Sequence, residues 1–314
     1  MEGEIMLQRS MDILMRFPVR KSKQQKQLFR DEVTAYLKSF GYSVAVESGS
    51  FGSCNVVVGD SENANYLITA HYDTCARLLF PNFITPCNGI IYIFQQLGMW
   101  LGILLISIFV GVSSGLLLGG DVGPLIGGLT VFALLGLMLF GPANPSNVND
   151  NDSGVFTLLE IARSLPENQR KKVCFVLFDL EESGLIGSSC YRKNHKAATD
   201  RQLVLNLDCV GDGDHILMIP TKKLKKDRKQ LTSLYKACGY FGKKSVLVKE
   251  KGFCVYPSDQ RCFPYGVGIC ALQEGKIGLF LSRIHTPKDT VLDYTNVNIL
   301  RAAIISFISC NAVN

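Results

Sequence analysis

Between Arg77 and Asp121 the chain runs for 43 residues without a charged side chain, and between Asp121 and Asp150 for another 28. A soluble domain seldom leaves so long a stretch without charge, because whatever part of it reaches the surface must meet water. Residues 90–120 and 122–141 are each long enough to cross a hydrocarbon core of about 30 Å, which takes about 20 helical residues. Between them, Gly119-Gly120-Asp121-Val122-Gly123-Pro124 has the composition of a tight turn. Small residues recur four apart at Gly98 and Gly102, at Gly111, Gly115 and Gly119, and at Gly123 and Gly127, a spacing that lets helix backbones approach closely in lipid. Trp100, the only Trp, stands near one end, where an interfacial ring is expected. The stretch reads as an inserted transmembrane helical hairpin, residues 88–143; the competing reading is the buried hairpin of a soluble protein.

A hairpin returns the chain to the side it left, so both flanks share a compartment. They carry all 33 Lys and Arg, whereas the turn holds only Asp121. The positive-inside rule then predicts a multi-pass membrane protein whose flanks face the cytoplasm. Eleven Cys, an odd number with no CxxC pair, argue against a disulfide framework and for a reducing compartment. Residues 1–17 carry acids early and lack a continuous apolar core, so they are expected to form an amphipathic helix rather than a secretory signal. A composition that is 47% hydrophobic and 19% charged excludes disorder, and a net charge of +6 does not call for a nucleic-acid partner. The one dense basic run, residues 222–229, reads as a solvated face or as a contact with acidic lipid headgroups.

Residues 24–40 place Leu28, Val33, Tyr36, Leu37 and Phe40 at helical spacing, with Gly41 as a stop. Strand-like runs follow at 42–47, 55–58 and 66–70. Beyond the hairpin, helices at 155–165, 187–196, about 226–238 and 294–310 are interspersed with strands at 173–178, 203–207, 216–219, 245–248 and 267–272. Continuous apolar strands among amphipathic helices indicate an α/β domain, residues 1–87 and 144–314, whose central sheet is covered on both faces.

Three of these strands end in side chains able to hold a metal: His71-Tyr72-Asp73, Asp179-Leu180-Glu181-Glu182, and Asp208. Neighbouring strands ending this way converge on the crevice where open α/β sheets bind ligands. Two loops with turn chemistry add residues 149–154 (NDNDSG) and 284–289 (IHTPKD). Taken singly, His71 reads as a structural histidine and Asp150 as readily as a helix cap. Taken together, His71, Asp150, Glu182, Asp208 and His285 make two imidazoles and three carboxylates. His195 and His215 lie in polar surroundings and read as solvated.

The series AHYDT, NDNDSG, LEESGLIGS, LNLD and IHTPKDT resembles the M28-type dinuclear-zinc exopeptidase family of the bacterial leucyl aminopeptidases and aminopeptidase S. Glutamate carboxypeptidase II and glutaminyl cyclase share its fold. The resemblance runs from about residue 24 to the end, the hairpin excepted, with the motifs in the family's order. It implies a zinc-exopeptidase-like mixed sheet interrupted by the hairpin, and two Zn²⁺ as cofactors, other divalent transition metals being able to use the same ligands. It implies that His71 and Asp208 hold one ion, that Glu182 and His285 hold the other, and that Asp150 bridges them. Asp73 would accept the second ring N–H of His71, and Glu181 would be the general base that moves a proton from water to the leaving amine. A cis peptide is implied at Asp150-Asn151. The implied function is that of a membrane-anchored aminopeptidase acting on peptides with a free N-terminus.

Three departures qualify it. The hairpin falls between His71 and Asp150, where relatives have a short connection; Ile284 stands where relatives often carry Tyr; and Gln260 stands at the His position of a serine-aspartate-histidine pattern begun by Ser258 and Asp259. The alternatives are a single-zinc, glutaminyl-cyclase-like or other amide chemistry, against which NDNDSG argues, and a non-catalytic membrane scaffold, against which the retained ligands and Glu181 argue.

Overall fold

A strand built of an unbroken Val, Ile, Leu and Phe run carries apolar side chains on both faces and has to be covered on both. The computed structural model describes residues 2–78 and 83–310 and places such strands at the centre of a mixed sheet. Its ten strands are β1 (Val44–Ser48), β2 (Cys54–Val58), β3 (Tyr66–His71), β4 (Val173–Phe178), β5 (Leu203–Leu207), β6 (His215–Pro220), β7 (Gly239–Phe241), β8 (Lys244–Val248), β9 (Gly266–Gly275) and β10 (Gly278–Phe280). They lie in the order β1-β2-β4-β3-β5-β9-β6-β8-β7, with β10 on β9. β3 runs parallel to both β4 and β5, so the three strand ends anticipated from the sequence are neighbours at one edge of the crevice.

Alternate residues of these strands feed two cores. Ile68, Ala70, Phe175 and Leu177 pack with Phe29, Leu159 and Leu300 on one face, whereas Leu67, Val176 and Phe178 pack with Tyr191 and Phe263 on the other. The first face is covered by α1 (Glu2–Arg16), α2 (Lys23–Lys38), α5 (Gly154–Ser164) and the final helix Tyr294–Cys310; the second carries the helix Ile186–Asn194. Met1, expected to begin α1, lies outside the described residues. A capping box between Ser22 and Gln25 starts α2.

Three expectations need correction. Val33, Tyr36 and Leu37 of α2 are buried as expected, but Leu28 is 51% exposed and its neighbour Phe29, fully buried and stacked on Tyr72 at 5.4 Å, takes its place on the apolar face. The helix expected at about 226–238 is two short ones, Lys222–Lys226 and Arg228–Leu234, because Asp227 breaks the first and caps the second by accepting the Gln230 N–H at 3.1 Å. The short strands β7 and β10 were not anticipated, being three residues each and mostly exposed or half-buried.

The charge-free stretch forms two helices, α3 (Gly89–Leu118) and α4 (Val122–Phe140), whose most apolar 18-residue windows have mean hydropathies of 2.4 and 2.1. Only 17% and 6% of their most apolar windows are buried, which disfavours a soluble core hairpin. Phe109, Leu116, Leu117 and Phe132 are each 73% exposed or more. The helices meet through glycine: a Cβ on Gly123 would lie 2.7 Å from Gly111 O, and one on Gly111 would lie 2.9 Å from Gly123 O. Gly98 and Gly119, also expected at a helix contact, face open space. At its base the hairpin is tied to the sheet domain, for Ala76 bridges Ala143 and Ile84 bridges Leu281, both antiparallel.

Candidate metal centre

His71 is the last residue of β3, Glu181 and Glu182 follow β4, and Asp208 follows β5, so parallel pairing alone brings four of the seven expected residues to one end of the sheet. Asp150 arrives from the loop before α5 and His285 from the loop before the final helix. The NDNDSG loop is shaped by its own side chains. Asn151 Nδ2 donates to Leu207 O at 2.9 Å, and its Oδ1 accepts the N–H of Gly154 at 3.0 Å and of Cys209 at 3.3 Å. A Cβ on Gly154 would lie 2.4 Å from both Asn151 Oδ1 and Leu207 O, which explains the glycine of that motif. The Asp150-Asn151 peptide is cis.

The two oxygens of Asp150 face two different imidazoles. Oδ1 is 3.1 Å from His71 Nε2, and Oδ2 is 2.9 Å from His285 Nε2. Each ring nitrogen also meets a second carboxylate: His71 Nε2 lies 3.8 Å from Asp208 Oδ1, and His285 Nε2 lies 3.4 Å from Glu182 Oε1. Glu181 joins His71 and Glu182 in a cluster whose donor atoms fall within 4.8 Å of one another. Asp73 Oδ1 stands 3.5 Å from His71 Nδ1, and the Asp73 carboxylate also accepts the backbone N–H of Glu181 at 3.0 Å and of Glu182 at 3.3 Å. All seven expected residues therefore meet in one crevice.

Electrostatics agree with a site made for cations. Burial alone would raise the Asp150 carboxyl, but hydrogen bonds from His285 and His71 outweigh it and hold the group below the ordinary carboxylate range. Burial would lower both imidazoles, yet His71 is raised by Glu181, Asp150, Asp208 and Asp73, and His285 by Glu182, Cys75 and Asp150. Glu181 is pushed well above the usual range by burial, only partly offset by His71, and Glu182 is raised chiefly by burial too. Glu182 Oε1 lies out of solvent, its one near neighbour of opposite character being His285 Nε2 at 3.4 Å. Carboxylates crowded in a buried crevice repel one another unless a cation joins them. Nitrogen and oxygen donors of these types suit zinc.

Several positioning residues escaped the sequence. Asp289 accepts the N–H of Asn149 at 2.7 Å and of Asp150 at 3.0 Å, and so fixes the backbone that carries the Asp150 carboxylate; its place four residues after His285 was the available signal. Tyr256 donates its hydroxyl to Asp208 O at 3.1 Å and packs against Ile284, the departure noted above. Arg20, fully buried, pairs with Asp152 at 2.6 Å. Gln260 is 2% exposed, donates to Tyr256 O at 2.8 Å and borders a cavity with Tyr256 and Phe263.

Solved structures with this fold include a glutaminyl cyclase of Porphyromonas gingivalis, 16% identical over 98% of this chain and 96% of that one, with a TM-score of 0.61. A Zn-dependent exopeptidase of Parabacteroides distasonis is 16% identical over 96% of both chains, with a TM-score of 0.59. A leucine aminopeptidase precursor of Bacteroides thetaiotaomicron is 15% identical over 96% of this chain and 95% of that one, also at 0.59. At such identities the likeness concerns the fold. No curated protein matches the sequence. The model of peptidase family M28 matches residues 138–308, which is more than half of the chain and contains Asp150, Glu181, Glu182, Asp208 and His285; His71 and Asp73 join them from across the hairpin. With that match and the mixed sheet, the chain belongs to peptidase family M28.

Proposed function

We propose that the chain is a membrane-anchored aminopeptidase that works with two zinc ions and faces the cytoplasm. The observation that carries the reading is Asp150, whose oxygens face two imidazoles, each backed by a carboxylate of its own. Such a donor set fits two ions sharing one carboxylate, with His71 and Asp208 on the first and Glu182 and His285 on the second. Bound there, the ions would supply Lewis acidity toward the scissile carbonyl and the attacking water.

The remaining work falls to the protein. Glu181 takes a proton from the attacking water and hands it to the departing amine as the C–N bond breaks, and a carboxyl raised by burial suits both halves of that transfer. Asp73 orients the His71 ring and, through the backbone bonds to Glu181 and Glu182, keeps base and ligand in their separate directions. A cavity of about 730 Å³ opens beside them, lined by Asp73 and Glu182, by Phe51 and Leu180, and by Leu139 and Phe140 at the end of α4. Lys21 and Lys26 also line it, and its apolar part, Phe51, Leu139, Phe140, Leu180 and Ile186, favours a substrate with an apolar N-terminal side chain.

Full-length protein in detergent, offered a panel of aminoacyl amides, is expected to release amino acids, to lose activity to a chelator and to regain it with zinc. Glu181→Gln is expected to lower turnover by about 10²–10⁴ while keeping its metal. Conversion of an N-terminal glutaminyl peptide to its pyroglutamyl form, without release of amino acids, would make the chain a cyclase instead. One zinc per chain in active protein would refute the shared-carboxylate arrangement.

A further inference from the structure

Cys75 stands against the His285 half of the cluster, although nothing in the family resemblance assigns it a role. Its Sγ, a Glu182 oxygen and a His285 ring nitrogen lie within 4.8 Å of one another, and the residue is 1% exposed. Its backbone is fixed by the hairpin's return strand: the Asn144 N–H donates to Cys75 O at 3.0 Å, and the next residue, Ala76, bridges Ala143. The thiol reaches Asn147 Oδ1 at 3.7 Å, a weak contact for a poor donor. Asn147 is itself held by donations to Pro18 O at 3.0 Å and Asn144 O at 3.1 Å. Glu182 Oε1 is met by His285 Nε2 at 3.4 Å. A soft sulfur and a carboxylate thus converge beside the same imidazole.

We propose that Cys75 is a ligand of the second metal, beside His285, Glu182 and the shared Asp150. This rests on the metal-centre reading above and deepens it. On ligation the S–H bond breaks, a metal–sulfur bond forms and the proton passes to solvent. One thiolate makes the two positions chemically unequal. The first, all imidazole and carboxylate, accepts manganese or cobalt about as well as its geometry allows, whereas the second favours zinc and cadmium over harder ions.

Cobalt reports on this directly. Full-length protein in detergent is stripped with a chelator and titrated with Co²⁺ alone, and its visible d–d bands and near-ultraviolet sulfur-to-cobalt charge transfer are followed. The charge-transfer band is expected in the unaltered protein and in Cys209→Ala, and is expected to vanish in Cys75→Ser and Cys75→Ala while d–d bands remain. Cadmium retention should fall in the Cys75 variants on the order of tenfold to a hundredfold, the loss typical of a disturbed ligand set. Bound cobalt with d–d bands but no charge transfer in the unaltered protein overturns the role of Cys75 and leaves the metal centre standing. No bound cobalt at all overturns the metal-centre reading, and this proposal with it. Because the deciding band is read in the unaltered chain, a variant that fails to fold does not rescue the idea.

Discussion

Asp289 spends both its oxygens on the backbone that carries the bridging carboxylate, and it does so at 1% exposure. Burial, with Asp150 adding to it, pushes its carboxyl up to about 7, against the pull of those two N–H groups. Asp289→Ala would strand two buried donors, each worth roughly 1–3 kcal/mol, and would free Asp150 to move. A lower thermal midpoint together with roughly tenfold or greater loss of zinc affinity is expected, read by calorimetric titration of the purified protein. Unchanged affinity would reduce Asp289 to a loop residue. His195, read as solvated from the sequence, instead bridges Glu62 at 2.6 Å and Glu47 at 2.9 Å. Burial would lower its pKa, but those two partners outweigh it and raise it. The stabilisation is therefore complete below the unfolded value of about 6.5 and fades as pH rises through the folded one. It is a partly exposed pair, so about 0.5 kcal/mol is the expected scale. Unfolding of the native protein from pH 6 to 9 should show this extra loss relative to His195→Gln, and parallel slopes would refute it. His71, Glu182 and Asp208 were legible because they end or follow apolar strands, and Asp150 and His285 through the loop motifs NDNDSG and IHTPKD that carry them. Asp289, Tyr256 and the His195 bridge were not, since bonds to a distant backbone or across a loop leave no periodicity to read.

At the scale of elements, the hairpin is held by glycine contacts with little else to interlock. A side chain at Gly123 would run into Gly111 O and the Gly115 Cα, at 2.7 and 3.2 Å, whereas one at Gly128 would meet nothing within 4 Å. Gly123→Ile should part the helices and lower the detergent thermal midpoint by several degrees, and Gly128→Ile should leave it unchanged; equal behaviour of the two would mean the contact is incidental. Trp100, expected near one end of the stretch, is instead the twelfth of the thirty residues of α3, about three turns in from Gly89. Spacing in the sequence marked seven glycines as equal, and only packing separates the four that touch from those that do not. The same holds for α2, where Leu28 and Phe29 are equally apolar and the phase of the helix against Tyr72 decides between them. β3, β4 and β5 were legible to within a residue, because being covered on both faces leaves an unbroken apolar run, whereas β9 runs three residues past its expected end through Gln273, Glu274 and Gly275, where the apolar run has stopped.

For the whole molecule, average hydropathy is a poor guide: a value of +0.18 combines a mixed α/β domain with two helices that contain 18-residue windows above 2. The cytoplasmic orientation is testable with a phosphatase reporter that folds only outside the cytoplasm. Placed in the turn at Asp121 it should be active, and placed in the polar loop at Lys251 inactive; the reverse pattern would refute the assignment. Order along the chain adds something that a finished structure hides. β3 has its neighbours in β4 and β5, and both are made after the hairpin. At about 5–20 residues per second, the ribosome needs on the order of 5–20 s to travel from His71 to Phe178. By then the whole hairpin and Asp150 have been made, while His71 still waits for Glu182, Asp208 and His285. The crevice can therefore gather its full set of side chains only after the hairpin has been synthesised, so whatever the hairpin does as it emerges, it does before the pocket exists.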